Sequence, residues 1–163
     1  METVLVVNPN SSKQTTEAML SIVHGYMPDA QAWTNVHAPN MITGPEALEE
    51  AAQHIAKAVL PKTRAVIVAA FGDVGATALV QKMDVPVIRI GAAAARAAGQ
   101  GGARFAVLTT TPRLAPAIDV FMQAQGVGYL DCDLTDGDPQ GLLADPAALD
   151  RALICACQTA ARA

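Results

Sequence analysis

Three apolar runs each stop at a short polar turn built from residues that can bind an anion. Asn8-Pro9-Asn10-Ser11-Ser12 follows the first, Phe71-Gly72-Asp73-Val74-Gly75 the second, and Thr109-Thr110-Thr111-Pro112 the third. Asn8 and Asn10 offer amide groups, and the Ser11 and Ser12 N–H groups open a helical pattern, where a carboxylate is favoured. Gly72 permits close backbone approach, and the N–H groups around it form a second anion-friendly turn. Thr109 and Thr110 add hydroxyls. Recognition of a small anionic ligand such as a carboxylate is the chemistry these groups suit. None of the turns holds a nucleophile or an obvious base, and Asp73, their one carboxylate, suits a helix cap as well as a proton-transfer role. Each turn also has an ordinary reading as a capped strand-to-helix connection.

The elements that position these turns follow from hydrophobic periodicity. Strands are expected over 3–8, 30–37, 64–70, 85–90, 103–110 and 127–132. Helices are expected over 12–27, 44–59, 74–83, 92–99, 113–125 and 146–162. Val- and Ile-rich strands alternating with Ala-rich amphipathic segments predict an α/β fold of parallel sheets flanked by helices. Ser11 or Ser12 can cap the first helix, while Pro45 and Pro146 sit in first helical turns, where a missing N–H costs nothing. Gly99-Gln100-Gly101-Gly102 suggests two lobes, a first over 1–99 and a second over 103–163. The polar stretch from Asp133 to Gly141 reads as a surface loop. The second block supplies only two strands before a final helix, so an incomplete lobe with an open sheet edge is expected, or one covered by a second subunit.

Composition narrows the function classes. The 163 residues are 52% hydrophobic and 16% charged, with a net charge of −4 and no basic cluster, which argues against nucleic acid. No run is long enough to span a membrane. The opening Met-Glu-Thr runs straight into a strand without a basic segment, which points to the cytoplasm. Cys132, Cys155 and Cys157 match no metal-ligand spacing and, as an odd number, no disulfide framework, so no metal is expected. No Gly-x-Gly-x-x-Gly follows the first strand, which leaves a nucleotide-binding reading weak.

Taken in order, Asn-Pro-Asn-Ser after the first strand, Ala-Phe-Gly-Asp-x-Gly after the third, Val-Pro-Val-Ile-x-Ile-Gly at the fourth and Phe-x-Val-Leu-Thr-Thr at the fifth resemble the aspartate/glutamate/hydantoin racemase superfamily, on its hydantoin and allantoin racemase side. The resemblance runs from Val4 to the end of the chain. It implies two pseudo-symmetric α/β lobes, a small carboxylate or imide substrate and no cofactor, while the open sheet edge of the second block leads to the expectation of a homo-oligomer. It also implies racemisation or isomerisation by proton transfer at a carbon next to a carbonyl, between two cysteines on opposite faces of the substrate. Thiols suit both proton removal and return because their pKa is readily tuned. Asn8, Asn10, Phe71, Gly72, Thr109 and Thr110 are the expected substrate-binding residues.

The chain departs from that pattern. The first cysteine position is Ala70, which leaves the catalytic residues unassigned and Asp73 as a weak candidate. Ala92 stands where a glutamate is frequent and Arg89 where glycine is usual. The second cysteine belongs to a strand beyond the last helix, so a truncated or catalytically inactive, carboxylate-binding family member is the alternative expectation.

Overall fold

The computed structural model describes residues 3–161 as a mixed α/β fold in which all strand pairs are parallel. Strand β1 (Val4–Asn8) leads into α1 (Lys13–His24), β2 (Gln31–Thr34) into α2 (Pro45–Lys57) and β3 (Ala65–Val68) into α3 (Ala76–Lys82). Strand β4 (Val87–Arg89) passes directly into α4 (Ile90–Ala98), and a 3₁₀ turn, Gln100–Gly102, follows. Then come β5 (Phe105–Thr109), a second 3₁₀ turn (Pro112–Leu114), α5 (Ala115–Gln123), β6 (Tyr129–Leu134), α6 (Pro139–Ala144) and α7 (Pro146–Ala160). The chain forms two compact units that divide within α4, between Ala93 and Ala94, with Thr43–Pro45 grouped with the second.

The first unit carries a four-stranded sheet in the order β2-β1-β3-β4. All five residues of the central β1 are buried, which explains its unbroken apolar run. The register pairs Leu5 with Val66 and Val7 with Val68, so these four share one face. There they pack with Ala51 and Ile55 of α2 and Ala76 and Leu79 of α3. The β3–α3 connection passes close under this core. A Cβ on Gly75 would lie 2.8 Å from Ile55, and Gly75 has a φ of +72°, so only glycine fits.

The second unit pairs β5 with β6, with a register shift between Phe105 and Val107. Ala95, Ile118 and Met122 form its core with Phe105, Val107, Tyr129 and Cys132 packed against them. Gly128 sits where a Cβ would come within 2.2 Å of the Ala103 carbonyl oxygen.

The α/β alternation is as expected, and several boundaries move. Strand β2 stops at Thr34 because the chain turns there, with Ala38 N–H bonded to Asn35 C=O. Positive φ at Asp73 and Gly75 delays α3 to Ala76. Strand β4 is only three residues long, and α4 begins at Ile90, two residues early. Helix α5 starts after the 3₁₀ turn that Pro112 initiates, and β6 lies two residues later than expected. The polar stretch read as a loop holds α6, whose first turn is capped by Asp138 accepting from Gly141 N–H at 2.8 Å. The end of the helix expected over 146–162 lies partly outside the described residues.

Candidate functional site at the carboxyl edge of the first sheet

Parallel pairing brings the carboxyl ends of β1, β3 and β4 side by side: Val7 pairs with Val68, and Val68 with Arg89. Open parallel sheets bind ligands at this edge.

The β1 turn is organised by Asn8, which is 1% exposed. Its Nδ2 donates towards Thr16 Oγ1 (2.9 Å), Asn10 Oδ1 (3.0 Å) and Ser12 C=O (3.1 Å), and its Oδ1 accepts Asn10 N–H. Asn10 Oδ1 in turn accepts Ser12 N–H at 2.9 Å. Ser12 caps α1 by accepting from Thr15 N–H, and Ser11 N–H is bonded to Pro39 C=O. Asn8 and Asn10 therefore shape the turn from within. The donors the turn has left are the Lys13 and Gln14 N–H groups, which have no acceptor within the helix. Asn35, just past β2, completes the arrangement. Fully buried, it donates Nδ2 to Pro9 C=O and N–H to Asn8 C=O, while its Oδ1 has no partner among the described residues. Sequence reading passed over Asn35; its one signal was an amide directly after a strand.

The β3 turn closes with Asp73 N–H bonded to Ala70 C=O at 3.1 Å. Phe71 and Gly72 form its tip. Phe71 is 39% exposed, and Gly72 has a φ of +91° with nothing within 4 Å of where a Cβ would stand. Ala70 is half-buried against the core and brings no proton-transfer group.

Asp73 does not cap the helix that follows it. Helix α3 has Gly75 at its N-cap with no side-chain bond. The Asp73 carboxylate instead reaches the first turn of α4, accepting Gly91 N–H at 2.9 Å and Ala92 N–H at 3.2 Å. Arg89 Nε lies 3.9 Å from Asp73 Oδ2, and the Asp73 side chain is only 4% exposed. Its two oxygens are thus occupied in tying the β3 turn to the β4–α4 junction. A carboxylate at the N-terminus of α4 is favourable for the helix dipole as well. Asp73 thus acts as a structural tie between the two segments.

Thr109 and Thr110 belong to the second unit. Thr109 Oγ1 bonds Thr111 Oγ1 at 2.8 Å and accepts Thr111 N–H, so its hydroxyl folds its own turn. Thr110 is half-buried at the tip. The cysteines are all free: Cys155 and Cys157 are exposed on α7, and Cys132 is half-buried. Burial pushes the Cys132 thiol up to about 11, helped by Asp119, Asp131 and Asp133. Burial likewise raises Tyr129, whose hydroxyl donates to Asp119. A cleft beside β6 brings Cys155 and Thr159 of α7 near Asp133 and Asp136. Among the described residues no group of three or more His, Cys, Asp or Glu side chains could hold a metal ion.

Backbone donors line this edge, and Ala70 brings no titratable group to it. The solved structure of an allantoin racemase from Pseudomonas fluorescens superposes with a TM-score of 0.79 at 26% identity, over 91% of this chain and 67% of that one. An allantoin racemase from Klebsiella pneumoniae gives a TM-score of 0.85 at 22% identity, over 99% of this chain and 70% of that one, and speaks to the fold alone. No curated protein sequence matches the chain. The family profile described as Asp/Glu/Hydantoin racemase matches residues 4–163, and with nearly the whole chain covered, this protein belongs to the Asp/Glu/hydantoin racemase family.

Proposed function

We propose that this chain binds a small carboxylate, or a hydantoin or related imide, at the β1 and β3 turns without a cofactor, and lacks the two-base racemisation its family fold serves. The observation that carries this reading is the β3 turn. Its strained backbone is intact, with φ values of +91° at Gly72 and +54° at Asp73, while the preceding residue is Ala70. A non-glycine residue with positive φ costs free energy and persists where the surrounding structure holds it. Inverting a carbon next to a carbonyl needs a base on one face and an acid on the other. A methyl group at position 70 is neither.

The solved relative from Pseudomonas fluorescens is a racemase of allantoin, a hydantoin, which supports the ligand class. The intact turn favours a second reading, in which proton transfer needing only one thiol or another base proceeds here. The cytoplasm is the proposed compartment, supported by three free thiols. No helix among the described residues is long and apolar enough to cross a membrane. A homo-oligomer is proposed from the exposed apolar residues Val120, Leu130, Leu143 and Ile154 of the second unit.

Two measurements test the proposal. Titrating hydantoin or succinate into isotopically labelled protein should shift the Lys13, Gln14, Phe71 and Gly72 amide resonances; a spectrum unmoved at all four refutes the site. Chiral chromatography after long incubation should show no racemisation of allantoin, hydantoins, aspartate or glutamate. Sustained racemisation in both directions would show that the bases lie elsewhere, with Cys155 and Cys157 the next residues to replace.

A further inference from the structure

We infer that Arg89 makes this site selective for a ligand with a full negative charge, a carboxylate, over a neutral hydantoin or imide. The inference rests on the proposed ligand position at the carboxyl edge of the first sheet. Arg89 ends β4 and is paired with Val68, so it stands at the same edge as the β1 and β3 turns. Its side chain is 42% exposed, against 4% for its partner Asp73. The Nε–Oδ2 separation of 3.9 Å is an ion-pair distance and too long for a hydrogen bond. The Asp73 oxygens instead accept Gly91 and Ala92 N–H groups. Asp73 therefore holds the arginine by attraction without using up its five N–H donors.

The turn beside Arg89 leaves room at Gly72. Gly72 adjoins Asp73 and has nothing within 4 Å of its absent Cβ, so a ligand can approach the turn backbone there. Ala92, fully buried beside the Asp73 carboxylate, adds no negative charge to repel an anion. A planar guanidinium offers a carboxylate two parallel N–H bonds, whereas a neutral hydantoin ring presents only carbonyl oxygens to it.

The test is isothermal titration calorimetry of the whole chain at neutral pH with succinate and with hydantoin, each against the wild type, Arg89→Gln and Arg89→Lys. Wild type should bind succinate more tightly than hydantoin, and added salt should weaken only succinate. Arg89→Gln should lose about tenfold or more in succinate affinity with hydantoin affinity unchanged, the scale of a charge-assisted hydrogen bond. Arg89→Lys, which keeps the charge and loses the fork, should fall between the two. Circular dichroism establishes that each variant is folded, and the salt dependence of the wild type stands without any variant. Hydantoin binding as tight as succinate binding, or a succinate affinity indifferent to salt and to Arg89→Gln, overturns the inference and leaves the binding site standing. Binding of neither compound overturns both.

Discussion

Replacing Asp73 by alanine is expected to cost more stability than any surface carboxylate would. The substitution leaves Gly91 and Ala92 N–H groups without their acceptor. Ala92 is fully buried, so water does not readily take the carboxylate's place. An orphaned buried donor costs about 1–3 kcal/mol, and two give about 2–6 kcal/mol. Water entering the vacated space relieves part of this, for an expected loss of about 2–4 kcal/mol. The Arg89 contribution is small, because that side chain is 42% exposed and the pair is screened. Asp73→Asn keeps one acceptor oxygen but turns an NH₂ group towards a donor, so it should recover less than half of the loss. Urea unfolding monitored by circular dichroism measures the total, and amide hydrogen exchange at Gly91 and Ala92 locates it. A loss below about 0.5 kcal/mol for Asp73→Ala, the range of ordinary surface changes, would refute the tie. So would unchanged protection at those two amides.

Two further outcomes follow from the packing and the thiols. Gly75→Ala should destabilise the chain by about 1–3 kcal/mol, because the new methyl meets Ile55 and the positive φ is strained; a neutral result in urea unfolding would mean the β3–α3 turn relaxes freely. Iodoacetamide at pH 8 should alkylate Cys155 and Cys157 well before Cys132, read by peptide mass spectrometry. With its thiol raised to about 11, Cys132 is almost wholly protonated at that pH, and its labelling should climb steadily between pH 9 and 11. Rapid labelling of Cys132 at pH 8 in the folded protein would contradict its burial.

The parts of the fold set by local pattern were legible in the sequence. Residues 4–7 form a continuous apolar run because β1 is central and buried, and such runs announce buried strands. Ser12 as the cap of α1 and Pro146 opening α7 follow from neighbours in the chain. Helix α6 was missed although Asp138-Pro139 carries the same signal as Asp145-Pro146, because Gly141 and the surrounding polar residues read as loop. The larger miss was Asp73. Its partners Gly91 and Ala92 lie 18 and 19 residues away and become neighbours only when β3 and β4 pair. Asn8 was expected to face a ligand, and instead its amide is occupied by Asn10, Ser12 and Thr16. Residue types located the turns; which polar groups remain for a ligand depends on tertiary bonds.

The two-stranded sheet of the second unit has edges of opposite character, and that bears on solubility. Strand β6 presents Asp131 and Asp133, whereas β5 is Phe-Ala-Val-Leu-Thr with no charge at all. Acidic residues on an edge strand discourage another strand from adding there, because like charges would stack across the new ladder. Among the described residues β5 pairs only with β6, so its second edge lacks that protection. Any strand addition to this sheet is therefore expected at β5 rather than at β6. Joining β5 of one copy to β6 of the next would have to cross the acidic edge each time, which opposes open-ended growth. Joining β5 to β5 uses the same edge on both copies and closes after two. Were copies to join through this sheet, its asymmetry would favour a closed pair over a fibre.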